Sequence, residues 1–249
     1  MEMMAVLTSD AVILRTWPVQ EADLIVSIFT RDYGKLRGVA KAALKSRKRF
    51  GGALEPMTVT RAWFVERPRV ELGRLDQLEI VRSPLSDAVD AGRMTALSFY
   101  AELLDEALPE HDPQETVYRL LLSVLEQTTT AMPWMPVTYF ALWMTRLMGL
   151  LPDVGHCTAC GETLVAGEIG FSPYADGLFC GVHRGGNANA LSEDSWRLAQ
   201  RMLKTPVAAF AEELWPRRRG QDLRRFAVQA LERHLEKRLK SAEAFARLS

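Results

Sequence analysis

CTACGETLVAGEIGFSPYADGLFCGVH, residues 157–183, contains every cysteine of the chain. Two close ligand pairs joined by a short segment are typical of a treble-clef or ribbon-like zinc site, because each turn directs two ligands at one ion. The intervening residues 161–179 suit a hairpin, since glycines and Asp176-Gly177 separate apolar stretches. Four ligands fill a tetrahedron. The pattern therefore predicts one structural Zn²⁺, held by Cys157, Cys160, Cys180 and His183.

Other interpretations of these cysteines stay open. They could be buried without a metal, or Cys157 and Cys160 could form a redox pair, although such a pair normally opens a helix within a βαβ unit. A zinc deaminase needs H-x-E ahead of its cysteine pair, and here the only such triplet starts at His234, after both pairs. His156 could also replace His183 as the fourth ligand.

Length and composition indicate a folded chain of two or three units. It has 249 residues, of which 48% are hydrophobic and 25% charged. It lacks an apolar run long enough to cross a bilayer and a signal peptide's basic start and cleavage site, so we expect a cytoplasmic protein without a membrane partner. Three cysteines at metal spacing fit a reducing compartment.

The net charge is zero, but the charges are segregated along the chain. Residues 31–50 contain eight Lys/Arg and one acid, and residues 215–240 contain nine Lys/Arg and three acids. Residues 102–115 carry six acids and no Lys or Arg. Such blocks suggest a polyanion-binding face and an acidic face turned away from it, with ordinary solvated helix faces as the alternative.

The first eighty residues have the pattern of short strands, rich in Val, Ile, Leu, Thr and aromatic residues. Turn signals include Trp17-Pro18 and Arg67-Pro68. Five strands in this length predict a small closed antiparallel barrel, either an OB-fold, which we favour, or an SH3-like barrel. The predicted strands are residues 4–14, 24–30, 35–40, 57–65 and 74–80.

Helical spacing of apolar residues begins after Ser83-Pro84. The sequence predicts an α+β multidomain protein with a C-terminal helical bundle and an inserted zinc-binding hairpin. Its predicted domains are an OB-fold DNA-binding domain (1–82), a helical domain (83–151 and 190–249) and a zinc module (152–189). The predicted helices are residues 87–108, 116–127, 133–149, one from Ser192 to Pro206, two short helices, and one from Gln221 to near Ser249.

A small barrel with a basic connection is a recurrent platform for single-stranded DNA, because cations neutralise phosphates and aromatic rings stack on bases. The basic run 41–49 is expected on a flexible loop between strands three and four, with Phe50, Tyr33 and Trp63 as candidate stacking residues. The predicted DNA-binding residues are Lys35, Arg37, Lys41, Lys45, Arg47, Lys48, Arg49 and Phe50. Additional candidates for contacting DNA or a partner are Arg217, Arg218, Arg219, Arg224 and Arg225.

Several segments resemble the RecO family of bacterial recombination mediators, and they occur in the family's order over essentially the whole chain. The resemblance is carried by residues 23–30, 33–35, 39–41, 46–56, 100–104, 149–152 leading into Cys157 and Cys160, 234–235 and 239–241. The family's fourth metal position is often cysteine, whereas this sequence has His183. Since histidine also binds zinc well, the site survives the change.

The resemblance implies an N-terminal OB-fold, a helical domain and an inserted zinc module. It also implies a role in recombinational DNA repair: binding single- and double-stranded DNA, annealing complementary strands, and helping RecR load RecA onto strands coated by single-strand binding protein. RecR and the acidic, hydrophobic C-terminal tail of that binding protein are the implied protein partners.

Motifs of catalysis are missing from the sequence. It contains neither a G-x-x-x-x-G-K-[ST] phosphate loop nor a G-x-S-x-G elbow, so we expect a protein that is not an enzyme. Annealing needs no bond chemistry, because a basic surface lowers the repulsion between strands. The alternatives are an interaction scaffold whose basic helix binds an acidic peptide and, less favoured, a zinc-dependent hydrolase.

Overall fold

The computed structural model describes residues 6–19, 21–65, 72–151, 153–186 and 189–248. It is a mixed α+β structure with two compact units, Met1–Arg119 and Leu120–Ser249, so the boundary falls within a helix. The five-stranded sheet belongs to the first unit, and most of the helices belong to the second. None of the helices described is long and apolar enough to span a bilayer.

Five strands form the first unit's sheet, and their hydrogen-bonded order is β1-β2-β3-β5-β4. Strand β4 also pairs with β1, which closes the sheet into a barrel. Pairing is antiparallel throughout except between β3 and β5, so the prediction of a purely antiparallel barrel is wrong for this pair. The strands are β1 (Val6–Pro18), β2 (Leu24–Thr30), β3 (Gly34–Ala40), β4 (Val59–Val65) and β5 (Gly73–Arg82).

The predicted strands are confirmed, because alternating apolar side chains fill the barrel. The interior cluster includes Ile13, Val26, Ile28, Phe64 and Leu75, all nearly inaccessible to solvent. The turn predicted at Trp17-Pro18 is wrong. Both residues belong to β1, where Pro18 ends the strand and its missing N–H costs little. The turn predicted at Arg67-Pro68 lies outside the described residues.

Gly34 explains how β2 turns tightly into β3 beside a neighbouring segment. Its φ is +72°, and an added Cβ would lie 2.3 Å from the backbone oxygen of Asp112. Only glycine combines a left-handed conformation with this close approach. The backbone N–H of His111 donates to the Lys35 carbonyl at 3.0 Å, which joins the same two segments.

The connection between β3 and β4 contains the short helix α1 (Arg47–Phe50), which packs beside β5. The first unit continues with α2 (Ala91–Ala107), whose N-cap Asp90 accepts a hydrogen bond from the Arg93 N–H at 2.7 Å. It ends within α3 (Glu115–Gln127). These two longer helices confirm the predicted helices 87–108 and 116–127 to within a few residues.

The described residues of the second unit form four further α-helices and a small three-stranded sheet of order β7-β6-β8. Ser192 caps α5 as predicted, because its hydroxyl accepts the Ser195 N–H at 3.3 Å. The helices are α4 (Trp134–Leu147), α5 (Glu193–Met202), α6 (Gln221–His234) and α7 (Lys240–Arg247). The strands are β6 (Gly170–Ser172), β7 (Ala175–Phe179) and β8 (Asn189–Ala190).

Two helix predictions in this unit are corrected. The helix expected from Gln221 to near Ser249 is interrupted between α6 and α7, where Glu236 adopts a φ of +51°. The Glu232 carboxylate accepts the Leu239 N–H at 2.9 Å, which holds the chain in this break. Of the two short helices expected before Gln221, the described residues contain one 3-10 helix, Val207–Phe210.

A candidate metal centre and a candidate nucleic-acid surface

The second unit brings together the four predicted metal ligands. One ligand atom from each of Cys157, Cys160, Cys180 and His183 lies within 4.8 Å of all the others. Cys157 is buried and His183 is exposed, so the cluster sits at the edge of the unit. Soft thiolates with an imidazole suit a tetrahedral zinc ion, and all four ligand positions are supplied by the protein.

Two backbone turns aim the ligands. The Gly161 N–H donates to the Cys157 carbonyl at 2.8 Å, and the His183 N–H donates to the Cys180 carbonyl at 3.0 Å. A hydrogen bond of 2.9 Å from the Thr158 N–H to the Leu178 carbonyl joins the turns. Gly177 permits this approach, since its φ is +83° and a Cβ there would lie 2.0 Å from Thr158 Oγ1.

The thiols influence one another's protonation. Burial raises the pKa of Cys157, but backbone N–H groups, led by that of Cys180, hold it below its ordinary value. The His183 N–H is the largest influence on the pKa of Cys180, which is also lowered. The Glu162 N–H lowers the pKa of Cys160, but desolvation and the two neighbouring thiols outweigh it and raise the value. A bound cation would relieve this crowding of negative charge.

His156, the alternative fourth ligand, lies outside the cluster. Its Nδ1 hydrogen-bonds to the Asp153 carboxylate instead. The pKa of Asp153 is lowered first by the Gly155 N–H and then by His156. This arrangement favours His183 as the fourth ligand.

The segment 153–183, hereafter the metal hairpin, contacts the helices of its own unit. Trp196 Nε1 on α5 donates to the Val154 carbonyl at 2.6 Å. Arg233 on α6 donates to the Pro173 carbonyl at 3.3 Å and pairs with the Asp176 carboxylate. Phe171 of β6 meets Phe226 of α6 edge-on, with 5.3 Å between the ring centroids. The cluster therefore lies on a supported hairpin.

The candidate nucleic-acid surface is the segment 41–50, hereafter the cationic segment. Lys41, Lys45, Arg47 and Lys48 are exposed, and none has an ion-pair partner among the residues that the structure describes. The segment is not wholly a loop as expected, because it contains α1, and Asp23 of the β1–β2 connection accepts the Ala42 N–H. It presents four solvated cations from a defined backbone.

The other predicted cations of the barrel, Lys35 and Arg37, have partners within the first unit. Lys35 is buried and its Nζ donates to the Asp105 carbonyl at 2.5 Å. Burial lowers the pKa of Lys35, against the opposing influence of the Asp105 carboxylate. Arg37 pairs with Glu110 at 3.2 Å. Lys35 is therefore removed from the predicted DNA-binding set, since its ammonium group cannot reach a phosphate from inside the unit.

The acidic block 102–115 supplies these internal partners. Besides Glu110, it contributes Glu115, which pairs with Arg31 at 3.0 Å. The buried Asp105 carboxylate accepts the Ser27 hydroxyl hydrogen bond at 2.6 Å. Three of the block's six acids, Asp105, Glu110 and Glu115, pair with basic residues of the barrel, so the block does not form a face turned wholly away from them.

The predicted stacking residues also change role. Phe50 is 1% exposed and packs in the barrel's core, so it cannot stack on a base. Tyr33 packs against Phe64, with 5.4 Å between ring centroids. Trp63 remains half-buried.

Arg49 donates to the Lys41 carbonyl at 2.5 Å and to Ser46 Oγ at 3.1 Å, so it connects the two ends of the cationic segment.

The additional arginines are mostly structural. Arg224 is buried, donates to Thr138 Oγ1 at 2.7 Å, and lies over the Trp134 ring. Burial lowers its pKa to about 10. Arg217 donates to the Ala246 carbonyl at 2.6 Å, and Arg219 pairs with Glu213. Arg224 is therefore unavailable to DNA or a partner.

Two members of this set remain exposed. Arg225 lies over the Phe171 ring, with 5.6 Å between its guanidinium carbon and the ring centroid. Arg218 has no ion-pair partner in the described parts of the chain. Only these two present a guanidinium group that could reach an external ligand without first breaking a contact to an acid or a carbonyl.

Sequence reasoning missed Asp23. Its carboxylate accepts the Ala42 N–H at 2.7 Å and so holds the start of the cationic segment. Asp in a turn commonly binds a nearby backbone N–H, which is a usable signal. Here the bonded residue is distant in sequence, so the signal could not identify the partner.

The amino-acid sequence matches two family models and several curated relatives. The family model described as "Recombination protein O N terminal" matches residues 3–84, and "Recombination protein O C terminal" matches residues 88–243. The DNA repair protein RecO of Koribacter versatilis is 50% identical over 231 residues, covering 93% of this chain and 94% of that protein. That of Anaeromyxobacter dehalogenans is 32% identical, covering 92% and 91%.

The two family models together cover most of this chain, and both of these relatives are DNA repair proteins. The chain belongs to the Recombination protein O (RecO) family. The family resemblance seen in the sequence is confirmed, and membership supports a role in DNA repair.

Proposed function

We propose that the protein is a DNA repair and recombination mediator that binds single- and double-stranded DNA and anneals complementary strands. The observation that carries this proposal is the cationic segment, where four exposed cations have no acidic partner among the described residues. A phosphate backbone would supply the missing anions and release counterions, which favours binding independent of base sequence.

The barrel provides a suitable support for such binding. We infer that it is an OB-fold, because five strands in the order β1-β2-β3-β5-β4 close on themselves with one parallel pair. OB-folds commonly bind single strands along a positively charged groove. Holding two strands on one cationic surface would lower their mutual repulsion and promote annealing.

We further propose that Cys157, Cys160, Cys180 and His183 hold one structural Zn²⁺. Four protein ligands leave no open position for a substrate, so the ion would stabilise the hairpin and take no part in a reaction. This arrangement favours a scaffolding site over a zinc-dependent hydrolase.

Family membership supports the partners proposed. We propose that the protein acts with RecR to load RecA onto strands coated by single-strand binding protein, whose acidic C-terminal tail it contacts. The domain limits proposed from the sequence, 1–82, 83–151 with 190–249, and 152–189, remain part of this proposal, as does action at the nucleoid in the cytoplasm.

The alternative function is an interaction scaffold whose basic C-terminal helix binds an acidic peptide. It has less support, because Arg224 is buried and Arg217, Arg219 and Arg233 have internal partners. Arg218 and Arg225 are the exposed residues that it could still use.

The test removes the cations of the cationic segment. Replacing Lys45, Arg47 and Lys48 with alanine should weaken binding of an oligothymidine strand and reduce the slope of log affinity against log salt by about 2, since each single-strand phosphate contact contributes about 0.7. Fluorescence anisotropy at graded salt measures both quantities.

A charge-matched control removes three barrel arginines that already have acidic partners. Arg31, Arg61 and Arg74 pair with Glu115, Asp10 and Asp76. Their triple alanine variant should keep the wild-type salt slope. Equal losses in the two triple variants would mean that net charge alone drives binding, and the proposed surface would be wrong.

A further inference from the structure

The cationic segment is held in one shape by contacts that use a negative charge. Asp23, in the β1–β2 connection, accepts the Ala42 N–H at 2.7 Å through Oδ1. The Leu44 N–H donates to the neighbouring Ala22 carbonyl at 3.2 Å. An acid beside a phosphate-binding surface repels the ligand, so its presence calls for a compensating role.

The far end of the segment is held by hydrogen bonds from Arg49, a residue of the segment itself. Arg49 reaches back across it, donating from Nη2 to the Lys41 carbonyl at 2.5 Å and from Nε to Ser46 Oγ at 3.1 Å. Its guanidinium carbon lies 5.0 Å from the centroid of the Phe50 ring. Since Phe50 is 1% exposed in the barrel core, the end of α1 is anchored.

The backbone is strained at Ala42, the residue that Asp23 contacts. Ala42 has a φ of +52°, a left-handed conformation that costs a non-glycine residue about 1 kcal/mol or more. Such a conformation persists where surrounding contacts determine it. Here the Asp23 carboxylate binds the N–H of the strained residue itself.

We propose that Asp23 and Arg49 are positioning residues, which hold Lys41, Lys45, Arg47 and Lys48 in the arrangement that binds a DNA backbone. Arg49 is thereby removed from the predicted phosphate ligands. The inference rests on the proposed function. Its physical basis is preorganisation: a segment already ordered loses less conformational entropy when it binds.

Asp23 allows a test in which charge and position have opposite effects. Asp23→Ala removes a negative charge, so charge alone predicts tighter binding of oligothymidine. Loss of the tie to Ala42 predicts binding about fivefold weaker, the cost of ordering the freed segment. Asp23→Asn is the matched control, because it removes the same charge and keeps an oxygen that accepts the Ala42 N–H. We expect it to bind at least as tightly as wild type.

Arg49 is tested through Ser46, which carries no charge. Ser46→Ala removes the acceptor for Arg49 Nε and should weaken binding about twofold, with the salt slope unchanged. Arg49→Met should weaken binding about fivefold, again with the slope unchanged. In the double variant the Ser46 effect should disappear, since the two residues act through one contact.

Two results would overturn the proposal. The first is Asp23→Ala binding as tightly as Asp23→Asn, and the second is a slope about 0.7 lower in Arg49→Met, which would make Arg49 a direct phosphate ligand. The triple alanine variant at Lys45, Arg47 and Lys48 distinguishes a failure of the proposed function from a failure of the positioning role alone. If it binds normally the proposed function fails, and if it alone is impaired only the positioning role fails. Thermal unfolding of each variant identifies a loss of binding that arises from unfolding.

Discussion

The two basic blocks of the chain contain similar numbers of Lys and Arg but differ in how many of these side chains have partners within the protein. In residues 31–50, four cations are exposed on the cationic segment without acidic partners in the described structure. In residues 215–240, Arg224 is buried, and Arg217, Arg219, Arg233 and Arg238 bind carbonyls or carboxylates. The comparison teaches that charge density along a chain does not measure the charge available to a ligand.

The difference has a geometric origin. The cationic segment follows the end of β3, and Lys41, Lys45, Arg47 and Lys48 lie in solvent while Ala43 and Phe50 of the same segment pack in the barrel core. Most arginines of the second block lie on α6 and the turns before it, and α6 packs against α4 and the metal hairpin. Long arginine stems cover apolar surface there while their heads find internal partners.

The largest effect should come from disrupting the proposed zinc site. Cys157→Ser should abolish stoichiometric zinc and lower the thermal stability of the second unit strongly, because apparent zinc-binding free energies of such sites are about 10–16 kcal/mol. Elemental analysis and thermal unfolding measure the two effects. His183→Ala should also lose zinc, and His156→Ala should retain it. Zinc loss in His156→Ala instead would show that the fourth ligand has been misassigned.

A second comparison lies within the C-terminal block itself. Arg224→Ala should lower the free energy of unfolding by about 3 kcal/mol, since it empties a buried position that bonds Thr138 and stacks on Trp134. Arg218→Ala, at an exposed position, should change it by less than about 0.5 kcal/mol. Urea unfolding measures both. Similar values for the two would contradict the internal role of this block.

The same contrast applies in the first block. Lys35→Ala should cost about 2 kcal/mol of stability, because the buried Asp105 carbonyl loses its donor, and it should leave the salt slope of DNA binding unchanged. Lys45→Ala should keep its stability and lose about 0.7 from the slope. An equal slope change in the two variants would argue that Lys35 becomes exposed when DNA binds.

The smallest effect concerns Asp222, the acid at the start of α6. Burial raises its pKa, but hydrogen bonds from Ser195 and Ser192 outweigh this and hold the value below the ordinary 3.8. The stabilisation is therefore complete above that ordinary value and is lost as the pH falls through the folded-state pKa. Asp222→Ala should cost about 1 kcal/mol at neutral pH, as for a helix cap.

The measurement for Asp222 is urea unfolding between pH 7 and pH 3. Wild type should lose stability below pH 4 more steeply than Asp222→Ala, so the two curves should converge in acid. Parallel curves would show that the carboxylate's charge contributes nothing to the second unit.

Local patterns predicted the elements well and the connections poorly. Strands β2 and β3 and helix α3 are predicted to within a residue, because alternation and helical spacing record which face is buried. The break at Glu236 was missed, since the Glu232 carboxylate that holds it acts through the folded chain. Helix α1 within the cationic segment is not predicted, because the surrounding glycines and lysines give no sign that Phe50 is buried.

The sequence by itself predicted the Cys3His cluster, the five strands and the family, because ligand spacing, side-chain alternation and ordered motifs are local properties of the chain. Tertiary structure decided which charges remain available. Lys35 and Lys45 look alike in sequence, yet one donates to a buried carbonyl and the other is exposed on the cationic segment. A basic side chain is available to DNA only where the fold leaves it solvated and unpaired. Residues distant in sequence, such as Asp105 and Asp23, determine which side chains these are.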